Sequence, residues 1–97
     1  MPMFHVVLAR SGPDWEHGRR MEEQSGWLEH AAFIDGLVDD GFVVLGGPLE
    51  DEVRTAHAVE ASSEREIRER FGRDPWSGSH LVVDSIDRWT IRLQRSS

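Results

Sequence analysis

Met3 to Arg10 (MFHVVLAR) is apolar on both of its alternating faces, with Phe4, Val6 and Leu8 on one and Met3, Val7 and Ala9 on the other. A short, β-branched, two-sided run predicts a strand covered from both sides rather than one lying half in water. Phe42-Val43-Val44-Leu45 is a second run of this kind, ended by Gly46-Gly47-Pro48. A chain of 97 residues with such strands needs cover for both faces of its sheet, and that requirement shapes everything that follows.

Between the two runs the period changes. From about Met21 to Asp40, at about 100° per residue, Trp27, Ala31, Ile34, Leu37 and Val38 share one side of a helix. Glu29, Asp35, Asp39 and Asp40 fall away from that side, and Gly41 stands where a left-handed C-cap is favoured. Ser25-Gly26 either caps the start of this helix or interrupts it, and Ser11–Gly18 before it reads as a loop. Val53 to Ala61 alternates loosely as the next strand of a hairpin across the acidic Glu50-Asp51-Glu52 loop. Ser62 or Ser63 caps a short helix, Glu66 three residues after Ser63 completing a capping-box signature, and the helix runs to about Phe71 and stops at Gly72. Asp74-Pro75-Trp76 opens a turn, and Leu81-Val82-Val83 is a strand. Trp89, Ile91 and Leu93 alternate with Arg88, Thr90 and Arg92 as a further C-terminal strand.

The order β-α-β-β-α-β predicts an α+β, ferredoxin-like protomer in one domain over residues 1–97. Both helices of such a fold cover one face of the sheet. The other face keeps residues from the sets Met3/Val7, Phe42/Val44 or Val43/Leu45, and Leu81/Val83. A second copy of the chain is the simplest cover for it. The expectation is a homodimer through the open sheet face, a dimeric α+β barrel with a cavity at the interface.

Composition narrows the partners. Eighteen Asp+Glu against eleven Lys+Arg leave a net charge of −7, which argues against nucleic acid and anionic membranes, since both need clustered cations. All eleven cations are Arg, and Cys and Tyr are absent too. There is therefore no Schiff-base lysine, no thiolate nucleophile, no disulfide and no Cys-based metal site. No stretch reaches the roughly 18 apolar residues of a membrane span, and Met-Pro-Met-Phe-His lacks the pattern of a signal peptide. These features predict a cytoplasmic domain whose partner is a small molecule.

Acid–base chemistry, if present, falls to five His and eighteen carboxylates. No HExxH, GxSxG, GxGxxG or GxxxxGK[ST] occurs, and the histidines show no i, i+4 or i, i+2 pairing that would hold a metal. His30 stands out because its helical angle puts it inside the apolar stripe, between Leu37 and Ile34. An imidazole there needs a partner, since a buried unpaired polar group costs about 1–3 kcal/mol; a backbone carbonyl would satisfy a purely structural histidine. Asp74 before Pro75 suits the start of a helical turn, but capping leaves a carboxylate oxygen free to orient an imidazole. His5 and His57 sit on strands and can line a cavity. His17 reads as solvated in its loop, and His80, at a strand start, reads as facing water. Gly46-Gly47-Pro48 is first a turn, and Trp76 is the tryptophan expected nearest a ligand.

Three pieces in order resemble the YciI-like (YCII-related) family: Met3–Arg10, the helix carrying His30 followed by Gly41 to Pro48, and Asp74-Pro75-Trp76. The resemblance runs from Met3 to Leu93 and implies a dimeric α+β barrel. It also implies that His30 and Asp74 form an acid–base pair beside a pocket, with His5, Gly47, Pro48 and Trp76 near the substrate. Dehydrochlorination of a chlorinated hydroxyaromatic compound is among the activities suggested for such proteins. Trp27 stands where many relatives have Arg, and His5 where their first strand often has Tyr, so the substrate need not match theirs.

Two functions from different classes remain open on the sequence. One is an enzyme in which His30 removes a proton and Asp74 orients it, leading to elimination or isomerisation without a metal or redox cofactor. The other is a non-catalytic ligand-binding or interaction module in which the pair is a structural hydrogen bond. A haem-degrading or quinol-oxidising monooxygenase on the same barrel ranks last, with only His5 or His57 to nominate.

Overall fold

In the computed structural model, which describes residues 1–96, strand β1 (Met3–Ala9) occupies an inner position of a four-stranded sheet. It pairs antiparallel with β3 (Arg54–Glu60) on one side and with β4 (Val82–Arg88) on the other. β2 (Val43–Pro48) pairs antiparallel with the outer edge of β3, giving the order β2-β3-β1-β4. Helices α1 (Trp27–Asp39) and α2 (Glu64–Phe71) complete a small α+β fold, consistent with the expected ferredoxin-like arrangement.

Register sorts the side chains into two faces. Phe4, Val6 and Leu8 stand opposite Val59, His57 and Thr55. Phe4, Val6, Leu8, Val43 and Val59 share one core cluster with Leu37 of α1 and with Ile67 and Phe71 of α2, so both helices lie on this face. The opposite face carries His5, Val7 and Ala9 of β1, Ala56 and Ala58 of β3, and Leu45 and Gly47 of β2.

The expected contribution of Leu81/Val83 to the open face is corrected by the structure. A bulge between Val7 and Leu8 shifts the register, so that Val83 pairs with Leu8 and packs against the core, and Leu81 is buried. Val82, Ser85 and Asp87 take the open face instead, and Phe42 and Val43 belong to the core. That side of the face is more polar than the alternation alone suggests.

The helix ends follow local chemistry. Gly26 adopts φ 75° at the N-cap of α1, so Ser25-Gly26 starts the helix, and Met21–Glu23 ahead of it is only a 3₁₀ turn. Gly41 adopts φ 79° just past the other end, as expected for a left-handed cap. Ser63 Oγ accepts from the Glu66 N–H at 3.2 Å, while the Glu66 carboxylate reaches one residue further back than expected, to the Ser62 N–H at 2.7 Å.

Residues 89–96 form no strand, contrary to the alternation of Trp89, Ile91 and Leu93. β4 runs antiparallel to β1 and passes the first residue of β1 at this point, with the Trp89 N–H donating to the Met3 carbonyl at 2.9 Å. Beyond Met3 there is no strand left to pair with. Among the described residues no helix is long and apolar enough to cross a membrane.

Candidate active site

His30 is brought to the sheet by the second turn of α1, where its stripe position buries the ring. Asp74 arrives from the turn after α2, forty-four residues along the chain, and its two oxygens lie 2.7 and 2.9 Å from His30 Nδ1. A carboxylate only accepts, so Nδ1 carries the proton and donates it. The capping reading of Asp74 also holds, because Oδ1 accepts from the Trp76 N–H at 2.9 Å. One carboxylate thus ties down a turn and orients an imidazole.

Trp76 is the platform of the pair. Its indole lies parallel to the His30 ring at 4.1 Å and 8°. Its Nε1–H donates to the Ser25 carbonyl at 2.8 Å, which fastens the start of α1. His80 stacks on Trp76 at 4.8 Å, and Trp15 meets it edge-on at 5.7 Å. Trp76 is only 1 % exposed, so it supports His30 from among these rings instead of lining the ligand space. The expected solvent-facing His80 is corrected as well, for it is buried with ring nitrogens 3.1 Å from Ser25 Oγ and 2.9 Å from Ser79 Oγ.

His30 lines a pocket of about 340 Å³ between α1 and the helix-side face of the sheet. Trp27, Ile34 and Val38 from the helix and Leu8 and Val43 from the sheet make most of its wall apolar, and Gly46, Gly47 and Pro48 close one end. Trp27 thus adds ring surface to the pocket beside His30. A larger cleft of about 870 Å³, lined by Arg10, Trp15, His17, Arg20 and Glu50, meets the pocket at Met21 and Pro48 but contains neither His30 nor Asp74. The smaller pocket is therefore the one with the buried His30 in its wall.

Of the residues expected near substrate, Gly47 and Pro48 line this pocket. His5 does not: it stands on the opposite sheet face, edge-on to Trp89 at 5.3 Å. The pocket itself lies on the helix side and not on the open face where two sheets would meet. His57 is the strand histidine that does line the pocket. It faces the helices from β3, lines the same pocket as His30, and lies with Nδ1 3.2 Å from the Val6 carbonyl. Burial pushes its pKa below the ordinary histidine value, and the bond to Val6 opposes this only in part. Its signal was the register: His57 is two residues from Val59 on the core-facing set of β3.

Among the described residues no group of three or more His, Asp or Glu side chains converges as metal ligands would. No protein-family model, curated protein or solved structure matches the chain.

Proposed function

We propose that this protein is a small-molecule enzyme of the YciI-like type, in which His30 and Asp74 act as an acid–base pair on a compact, largely apolar substrate. The observation that carries this reading is the 2.7 Å contact between His30 Nδ1 and Asp74, with His30 in the wall of an apolar pocket. With Nδ1–H committed to Asp74, the lone pair at Nε2 is the base. It takes a proton from a substrate carbon, and the electron pair of that C–H bond becomes a new double bond. In an elimination the leaving group departs with its own bonding pair; in an isomerisation the imidazolium returns the proton at another carbon. Asp74 is a positioning residue that fixes the tautomer and stabilises the imidazolium. Proton transfer of this kind contributes about 10²–10⁴-fold in rate.

Deuterium wash-in tests the reading. A panel of small carbon acids, including chlorinated hydroxyaromatics, is incubated with the protein in D₂O and followed by NMR and chloride release. Exchange or elimination that His30→Gln abolishes supports the enzyme. Equal turnover by His30→Gln sinks it, and ligand binding without any exchange favours the non-catalytic module, in which the Asp74–His30–Trp76 assembly only pins α1 to the sheet.

The same reading includes a homodimer, a dimeric α+β barrel formed through the open face. Leu45 is 66 % exposed beside Ala58, on the face that also carries Val7 and Ala56. This exposed leucine supports an apolar sheet-to-sheet contact with a second copy, although Val7 and Ala58 are buried within the single chain. A cytoplasmic location follows from the same picture of a small-molecule enzyme.

A further inference from the structure

We propose that the pocket takes a small, uncharged, largely apolar molecule that donates a hydrogen bond to Nε2 of His57, making His57 the ligand-orienting histidine opposite the His30–Asp74 pair. The proposal rests on reading this pocket as a substrate site and adds which chemistry the site selects.

The tautomer of His57 follows from its partner. Nδ1 lies 3.2 Å from the Val6 carbonyl, which can only accept, so Nδ1 carries the hydrogen. Burial favours the neutral ring, and the nearby His30 acts in the same direction. A neutral imidazole with its hydrogen on Nδ1 presents a lone pair at Nε2. That nitrogen has no partner among the described residues, and the ring lines the pocket.

Thr55 stands two residues before His57 on the same face of β3 and lines the same pocket, with its Oγ1 closed off from the pocket space. The His57 ring is also held from behind, edge-on to Phe71 at 5.3 Å and with no room for a Cβ at Gly46. A ring so confined offers its lone pair in one direction.

Charge selects against anions. Among the described residues no Arg lines the pocket, and the acidic group in its wall is Asp35. A carboxylate or phosphate would lose its hydration to face a lone pair and another carboxylate. A neutral hydroxyl donor on an apolar body meets both the acceptor and the walls, and about 340 Å³ lies at the small end of ligand pockets, which run from roughly 300 to 1,000 Å³.

Phenol, anisole and benzoate serve as probes in an NMR titration of the protein. Anisole keeps the ring of phenol without the donor, and benzoate adds the charge. Phenol is expected to bind about tenfold more tightly than anisole, the increment of one neutral hydrogen bond, with amide shifts centred on Gly46, Thr55 and His57. Benzoate is expected to bind more weakly still, and His57→Phe to bring phenol down to the anisole level. Where His57→Phe does not fold, the phenol-to-anisole ratio of the native protein decides the matter together with the site of the shifts, which must centre on Gly46, Thr55 and His57 and not on His30. Equal binding of the two, tightest binding of benzoate, shifts confined to other residues, or no binding by any probe overturns the proposal. If deuterium wash-in fails while phenol still discriminates, only the acid–base reading falls; the reverse pattern removes only the role of His57.

Discussion

Gly46 stands opposite His57 in the β2–β3 ladder, and a Cβ at that position would fall 2.8 Å from His57 Cδ2. The histidine ring occupies the space that any other residue on β2 would fill. The glycine here serves close approach between strands and not a special backbone angle.

Gly46→Ala is therefore expected to drive His57 off the Val6 carbonyl or push β2 away from β3. Overpacking of this kind costs about 1–3 kcal/mol, read as a lower midpoint in urea unfolding. Phenol affinity should fall with it. A variant with unchanged stability and affinity would show that the ring has room to move.

Asp74→Asn keeps an oxygen for the Trp76 N–H but faces His30 Nδ1 with an amide or a weaker acceptor. The expected loss is about 10²–10⁴-fold in exchange rate, with KM little changed. Stability should drop by about 1.5–3 kcal/mol, the range for a hydrogen bond to a charged group. A fall in stability with the rate intact would make the pair structural.

His57 carries a pH dependence with a definite sign. Its folded pKa lies below the ordinary value of 6.5, so the unfolded chain binds the proton more readily. The stability it contributes is fully present above 6.5 and is lost as pH falls from there through the folded value. The difference in unfolding midpoint between the native protein and His57→Gln, followed from pH 8 downward in steps of about one unit, should shrink below 6.5. A difference that stays constant or grows would show that the neutral ring is not favoured by the fold.

Leu45→Glu places a charge on the edge strand of the open face, where Leu45 neighbours Ala58 across the ladder. The native protein is expected to sediment as a dimer and the variant as a monomer with an unchanged far-ultraviolet spectrum. A native protein that sediments as a monomer at all concentrations would remove the dimer.

Much of this arrangement was legible from residue order. The first two-faced run, the stripe of α1, Gly41 past its end and the Ser63 cap are local properties, set by backbone sterics and by period, and appear where expected. By contrast, α1 starts only at Trp27, and Gly46-Gly47-Pro48, expected as a turn, continues strand β2. His30 was singled out for the same reason, because a polar ring on an apolar stripe is visible without coordinates.

What tertiary structure decided is which side of the sheet each strand residue takes and which distant groups meet. A bulge in the β1–β4 pairing moved Val83 inward and left the open face to Val82, Ser85 and Asp87. The end of β1 left residues 89–96 without a partner strand, though their alternation reads as one. His5 and His57 have much the same sequence surroundings, yet opposite register set one beside Trp89 on the open face and the other beside His30 in the pocket. Alternation fixes that neighbours point to opposite sides; only strand pairing and the helices packed above it decide which side becomes the interior.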